Sequence, residues 1–192
     1  MTDGLDRIAI DVGEVLQRTV TSLYSNLVTR PTGRAVRMAI EARLQDAGER
    51  SLSLIDLSEV VILDFSCADE VVARLLERSQ ASLSHEAFFV FCGVHEPHRD
   101  QIQTVLERRG LAAVAETQAD TFELLGDRTR AEGLAWIALE ERGFLGNDEL
   151  DDTLGDAEGR VGFDLIVARR LAFRSPNTGR VHALSQLVRH IL

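Results

Sequence analysis

The segment Leu54-Ile-Asp-Leu-Ser-Glu-Val-Val-Ile-Leu-Asp-Phe-Ser-Cys-Ala-Asp-Glu-Val-Val72 carries the clearest structural pattern in the chain. A strand is predicted over 51–57, and a second apolar run over 60–63 leads into a short turn at 64–67. From residue 68 to residue 82 the apolar positions recur at helical spacing and lie on one face. The pattern therefore predicts a strand, a turn and a helix that packs on a sheet.

The flanking segments extend this alternation of strands and helices. Upstream, residues 5–16 alternate loosely and predict a strand, and apolar positions over 31–48 predict a helix. Downstream, the continuous apolar run 87–94 is typical of a strand buried on both faces. A helix over 99–109 and a short strand over 111–115 follow. This order predicts an α/β fold with a mostly parallel or mixed sheet.

A change of composition at 116–120 marks a predicted domain boundary, with one domain at 1–117 and a second at 118–192. Beyond the boundary, Thr129 and Glu132 form a capping box that begins a helix. An acidic segment at 148–154 follows this helix.

The last part of the chain predicts a third helix over 161–171 and then a hairpin around 175–179. Three helices followed by a two-stranded hairpin resemble a winged helix, which is a small α+β domain.

The charge of the chain is negative overall but unevenly distributed. The formal net charge is −10, from 31 acidic and 21 basic residues, which opposes non-specific binding to nucleic acid. Residues 160–192, however, contain six arginines and one aspartate, a net charge of +5. Such a local patch can bind a ligand that the whole molecule repels, because salt screens distant charges.

The composition also indicates the compartment. The longest apolar run has eight residues, far below the roughly 20 that span a bilayer, so no membrane association is expected. The first residues are acidic and lack the apolar core of a secretory signal. Cys67 and Cys92 are too few for a disulfide framework, and they are expected as buried thiols or as a redox pair. A cytoplasmic protein is predicted.

Segment 54–72 resembles the STAS domain family, which occurs in anti-sigma-factor antagonists and sulfate transporters. The family pattern is a strand, a short turn with an aspartate and serines, and a helix on the sheet. The stretch Leu27-Val-Thr-Arg-Pro-Thr-Gly33, which opens a helix, and the strand 88–94 with its following helix are also similar. The resemblance covers about residues 5–115 and implies a STAS-like mixed sheet with helices.

The resemblance implies a binding module that phosphorylation controls and that has no turnover of its own. In the classical antagonists a kinase-like anti-sigma factor phosphorylates the serine just after the aspartate. Asp64 matches that aspartate, Phe65 stands at the serine position, and Ser66 matches the following serine. The partner-binding surface is therefore expected at the turn from Asp64 to Asp69 and on the helix after it.

The sequence allows two interpretations of Ser66. A phosphoryl group on Ser66 would add a charge of about −1.5 to −2 at a helix N-terminus and alter partner docking. Alternatively, Ser66 caps a helix that begins at Ala68, since serine is a preferred N-cap residue.

The winged-helix resemblance implies a second binding function. In DNA-binding versions the third helix enters the major groove and the wing contacts the backbone or the minor groove. The residues that would contact phosphates or guanines here are Arg169, Arg170, Arg174 and Arg180. Alternatively, this part mediates protein contact or dimerisation, with the arginines paired to the 12 acidic residues between positions 120 and 158.

No catalytic or metal-binding pattern emerges from the sequence. His95 and His98 lie in a predicted loop after the apolar run, with Asp100 nearby, but spacing fixes no third metal ligand beside the two histidines. No nucleophile stands beside a base at a meaningful spacing, so no enzymatic activity and no cofactor are predicted.

The predicted function is that of a cytoplasmic regulatory protein that binds a kinase-like or sigma-pathway partner through the STAS-like domain. The alternative is a DNA-binding transcription regulator that uses the winged helix, with a homodimer as one arrangement.

Overall fold

The computed structural model describes residues 4–20, 26–82, 84–150, 153, 155 and 157–189, and its strands form three sheets. The central sheet has the order β1-β3-β5-β6-β7, from β1 (Asp6–Asp11), β3 (Arg50–Asp56), β5 (Glu86–Cys92), β6 (Ala112–Gln118) and β7 (Thr121–Gly126). Its first four strands are parallel and β7 is antiparallel to β6. This mixed sheet with surrounding helices confirms the α/β class.

Two smaller sheets complete the set. The short strands β2 (Asn26–Leu27) and β4 (Ile62–Leu63) pair in parallel. Near the C-terminus, β8 (Phe144–Leu145), β9 (Ala172–Arg174) and β10 (Val181–Ala183) form an antiparallel sheet in the order β8-β10-β9.

The described α-helices connect these strands or, for the last one, follow them. They are α1 (Val12–Val20), α2 (Arg30–Leu44), α3 (Phe65–Ala68), α4 (Leu75–Gln80), α5 (Glu96–Arg108), α6 (Arg130–Arg142), α7 (Ala157–Ala168) and α8 (Leu184–Val188). A π-helical segment, Asp69–Arg74, joins α3 to α4. The capping box of Thr129 and Glu132 at the start of α6 is confirmed, as is the hairpin around 175–179.

A separate hydrophobic core covers each face of the central sheet. Consecutive residues of a strand point to opposite faces. Phe89 accordingly lies in a core with α1 to α5, whereas Phe88 lies in a core with α6, α7, α8 and the C-terminal sheet. The boundary predicted between residues 117 and 118 falls inside β6, and β7 still belongs to the same sheet. The C-terminal part thus shares a continuous core with the N-terminal part.

Two elements differ from the sequence expectation. The strand expected over 5–16 ends at Asp11, whose carboxylate accepts a hydrogen bond from the backbone N–H of Glu14 (3.1 Å), and α1 begins there. The composition change at 116–120 covers the end of β6 and the two-residue turn to β7, where Asp120 has a φ of 58°. Residues 151, 152 and 154 of the acidic segment lie outside the described residues.

None of the helices in the described part of the chain combines the length and the apolar character that crossing a membrane requires.

Candidate functional site

The N-terminal ends of α2 and α3 converge at one place beside the β2–β4 pair. The hydroxyl of Thr29 caps α2 by accepting from the N–H of Thr32 (3.3 Å), and the carboxylate of Asp64 caps α3 by accepting from the N–H of Cys67 (2.8 Å). The Cys67 thiol donates to the Thr29 carbonyl (3.0 Å). A Cβ atom on Gly33 would lie 2.9 Å from the Cα atom of Cys67, so only glycine permits this close approach.

Ser66 lies in the first turn of α3 and is half-buried. Its hydroxyl donates to Oδ1 of Asp64 (2.9 Å), the same oxygen that caps the helix. The interpretation of Ser66 as the cap is therefore wrong. The helix begins three residues before Ala68, at Phe65, and the carboxylate of Asp64 already accepts from the free N–H group of Cys67.

Asp69 differs from the expectation that it faces a partner, because it is buried in a network of ion pairs. Its carboxylate accepts from Nε of Arg109 (2.6 Å) and from Nη1 of Arg30 (2.7 Å). Its neighbour Glu70 is also buried and accepts from Arg30 (3.0 Å) and Arg37 (3.2 Å). Burial raises the pKa of Asp69, but the hydrogen bonds from Arg109 and Arg30 outweigh it and hold that pKa below its usual value.

Exposed apolar side chains surround the short strands β2 and β4. Val61 is 74% exposed, and Val28 and Ile62 are also exposed. The guanidinium of Arg108 lies over the Phe65 ring, 4.8 Å from its centroid. Aliphatic side chains are thus exposed next to the turn that carries Asp64 and Ser66. We call the surface formed by Val28, Val61, Ile62, Asp64 and Ser66 the β2–β4 surface.

The sequence pattern had placed residues 60–63 in a strand without indicating which side chains are exposed. A run of four apolar residues is too short to show a periodicity, so the sequence carries no signal for which of these side chains are exposed. The ion-pair network was also missed. Its signal is the pair Asp69-Glu70 within an apolar helix, since buried carboxylates require cationic partners.

In the C-terminal part the β9–β10 hairpin follows α7, but Arg169 and Arg170, which the winged-helix resemblance assigned to DNA contacts, face the rest of the molecule. Arg169 donates to the Glu132 carboxylate (2.6 Å) and to the carbonyls of Asp127 (2.9 Å) and Gly110 (3.1 Å). Arg170 donates to the carbonyl of Ser79 (3.0 Å), in the last turn of α4, and to that of Ser82 (3.4 Å), just beyond the helix. Both guanidinium groups therefore anchor the C-terminal part to the N-terminal part.

Arg174 and Arg180 flank the hairpin turn and are exposed. Arg180 lies over the Phe144 ring, 5.1 Å from its centroid, and Arg174 lies 3.8 Å from the Asp164 carboxylate. The exposed side chains of α7 are of mixed character and include Glu158, Arg160, Val161, Asp164 and Leu165. The acidic groups among them repel phosphates.

The two cysteines lie in different cores. Cys67 packs on the face of the sheet that α1 to α5 cover, whereas Cys92 packs on the opposite face. The redox-pair interpretation is therefore wrong. Burial raises the pKa of each thiol to about 12.

His95 and His98 lie at the start of α5, with ring centroids 5.6 Å apart. His98 is buried, and burial lowers its pKa. Within the residues that the structure describes, no group of three His, Cys, Asp or Glu side chains is arranged to hold a metal ion.

A comparison of the chain with models of protein families, with curated protein sequences and with solved structures finds no match. The resemblance to the STAS family stays a prediction.

Proposed function

We propose that this protein is a non-catalytic cytoplasmic regulator that binds a signalling protein through the β2–β4 surface. The observation that carries the proposal is the exposure of Val28, Val61 and Ile62 beside Ser66. Clustered exposed apolar side chains mark interaction sites on otherwise polar surfaces. The STAS resemblance supports a kinase-like or sigma-pathway protein as the partner.

Phosphorylation of Ser66 is the switch that we propose for this surface. The Ser66 oxygen lies 2.9 Å from the Asp64 carboxylate, so a phosphoryl group with a charge of about −1.5 to −2 would repel it. The hydrogen bond between the two side chains would be lost, and the turn beside Val61 and Ile62 would change its shape and charge. A partner that packs on these aliphatic side chains would then dissociate.

The test uses the full chain as bait in lysate from its source cells, with nuclease added. The partner that the wild type and Ser66→Ala retain should be lost with Ser66→Asp and with Val61→Asp. Met38→Asp is the matched control, because Met38 is 57% exposed on α2, outside the β2–β4 surface. Equal recovery with Val61→Asp would contradict the surface, and equal recovery with Ser66→Asp alone would contradict the switch.

A second candidate function, DNA binding by the C-terminal part, has one observation in its favour. The antiparallel sheet β8-β10-β9 beside α6 and α7 supports this function, and the exposed Arg174 and Arg180 flank the turn between β9 and β10. Under this function, Arg174→Ala and Arg180→Ala would weaken salt-dependent retention on DNA and reduce the salt slope by about 1 each. If the wild type is retained on DNA and neither substitution weakens that retention, the result would contradict this site.

A further inference from the structure

Helix α6 is apolar on both of its sides, which is unusual for a helix at the surface. Ala135, Trp136 and Leu139 face the core, yet on the outward side Leu134 is 55% exposed and Ile137 is 50% exposed. A surface helix normally places charged and polar residues on its outer face. The outward face of α6 therefore has the character of a surface that another protein covers.

Helix α7 adds to this apolar surface at the point where the two helices cross. A Cβ atom on Gly162 would lie 2.2 Å from the carbonyl oxygen of Ala131, so the backbones are in close contact there. Val161, adjacent to that glycine, is exposed, as is Leu165 one turn later. Leu134 lies one turn beyond Ala131 on α6. Exposed aliphatic side chains thus lie on both sides of the crossing.

A groove of about 700 Å³ separates the outer side of α6 from α5. Leu134 and Ile137 form its apolar wall. The charged groups on its rim are Glu107, Asp127, Arg128 and Arg130, two of each sign, and all four are exposed. The rim is therefore neutral overall, in a chain whose net charge is −10.

The balance of charges favours a second copy of this chain over a strongly acidic or basic partner. Copies with a net charge of −10 repel one another, but salt confines that repulsion to about 8 Å at physiological ionic strength. In a two-fold symmetric contact the same surface meets itself in reverse. The arginines of one rim can then pair with the acidic groups of the other. We propose that the groove surface of α6 and the adjoining face of α7 form a homodimer interface, separate from the β2–β4 surface.

Sedimentation equilibrium of the full chain over a concentration series tests the proposal. The wild type should approach twice its chain mass of 21.2 kDa. The variant Leu134→Gln/Ile137→Gln should raise the dissociation constant by at least about tenfold, since apolar side chains at the centre of an interface carry much of its binding energy. Met38→Gln, at an equally exposed position on α2, should leave the dissociation constant unchanged.

A charge exchange identifies the partner as a second copy. Arg128→Glu/Arg130→Glu makes the rim wholly acidic, and Glu107→Arg/Asp127→Arg makes it wholly basic, so each variant alone should be monomeric. An equimolar mixture should restore the dimer, with circular dichroism confirming that both variants are folded. Any one of three results would overturn the proposal. The wild type could be monomeric, the dimer could persist in Leu134→Gln/Ile137→Gln, or the folded charge variants could stay monomeric when mixed.

Discussion

Nη1 of Arg30, in the first turn of α2, lies 2.7 Å from Oδ2 of Asp69, the first residue of the π-helical segment. The same nitrogen lies 3.0 Å from Oε1 of Glu70. Arg109, beyond the end of α5, holds the other oxygen of Asp69 (2.6 Å). These ion pairs join α2, the π-helical segment and the end of α5, and they support the elements from which the β2–β4 surface is built.

Asp69→Asn is expected to lower the free energy of unfolding by about 3 kcal/mol, because removing one partner of a buried ion pair leaves the others uncompensated. Urea denaturation measures the loss. Asp100→Asn, at an exposed position on α5, should change the value by less than about 0.5 kcal/mol.

The loss should also depend on pH. The pKa of Asp69 is lower in the folded than in the unfolded protein, so its contribution is present above the unfolded pKa and is lost as pH falls through the folded pKa. The difference between wild type and Asp69→Asn should therefore shrink in acid. A difference of the same size at neutral and acidic pH would contradict a role for the charge.

Glu140→Gln should stabilise the protein at neutral pH by about 1 kcal/mol. Burial raises the pKa of Glu140, and among the described residues its Oε1 atom has no hydrogen-bond partner. The hydroxyl of Ser185, which donates to Oε2, and the positive charge of Arg189 lower the pKa but do not outweigh burial. A group with a raised folded-state pKa stabilises the fold below its unfolded pKa and loses that effect as pH rises through the folded pKa. The gain from Gln should thus appear at neutral pH and vanish in acid, as thermal unfolding at both pH values can show. Glu141→Gln, at the exposed neighbouring position, is the control and should change the free energy of unfolding at neutral pH by less than about 0.5 kcal/mol.

Cys67 and Cys92 should not react with an aromatic disulfide reagent in the native protein at mildly alkaline pH. Both thiols are buried and have a pKa of about 12, so the reactive thiolate is scarce and inaccessible. The absorbance of the released aromatic thiolate should correspond to two reacted cysteines per chain only after urea is added. Fast reaction of either thiol without denaturant would mean that the core opens around it.

Two helical glycines should respond in opposite directions to substitution by alanine. Gly162→Ala places a methyl group 2.2 Å from the Ala131 carbonyl oxygen and should destabilise the protein by about 2 kcal/mol through overpacking of α6 against α7. Gly133→Ala meets nothing closer than 3.8 Å and should stabilise α6 by up to about 1 kcal/mol. Chemical denaturation measures the free energy of unfolding of both variants. A Gly162→Ala protein as stable as the wild type would contradict the prediction.

Local patterns in the sequence were sufficient for much of the fold. The capping box at Thr129, the strand near 87–94 and the turn at 175–179 were predicted because capping, continuous apolar runs and turn formation involve residues a few positions apart. The strand β7 was missed because its short, partly charged sequence follows a turn that looks like a linker.

The candidate site was predicted less completely, for the same physical reason. Asp64 and Ser66 were predicted as partner-binding residues from their place between a strand and a helix, and both lie in the turn that follows the exposed Val61 and Ile62. Asp69 was assigned to the surface because the turn reads as polar. Its actual partner Arg109 lies 40 positions away in the sequence, and no local pattern joins the two.

The sequence alone was enough for the α/β class, the order of most elements and the helix boundaries near caps, since these follow from short-range interactions. Tertiary packing decided which side chains are buried and which are exposed. It turned Arg169 and Arg170 toward the carbonyls of Gly110 and Ser79 in the N-terminal part, and it left Leu134 and Ile137 on the surface. Burial depends on elements distant in sequence that meet only in the folded protein, so the sequence pattern of a single helix cannot show which of its faces will be covered.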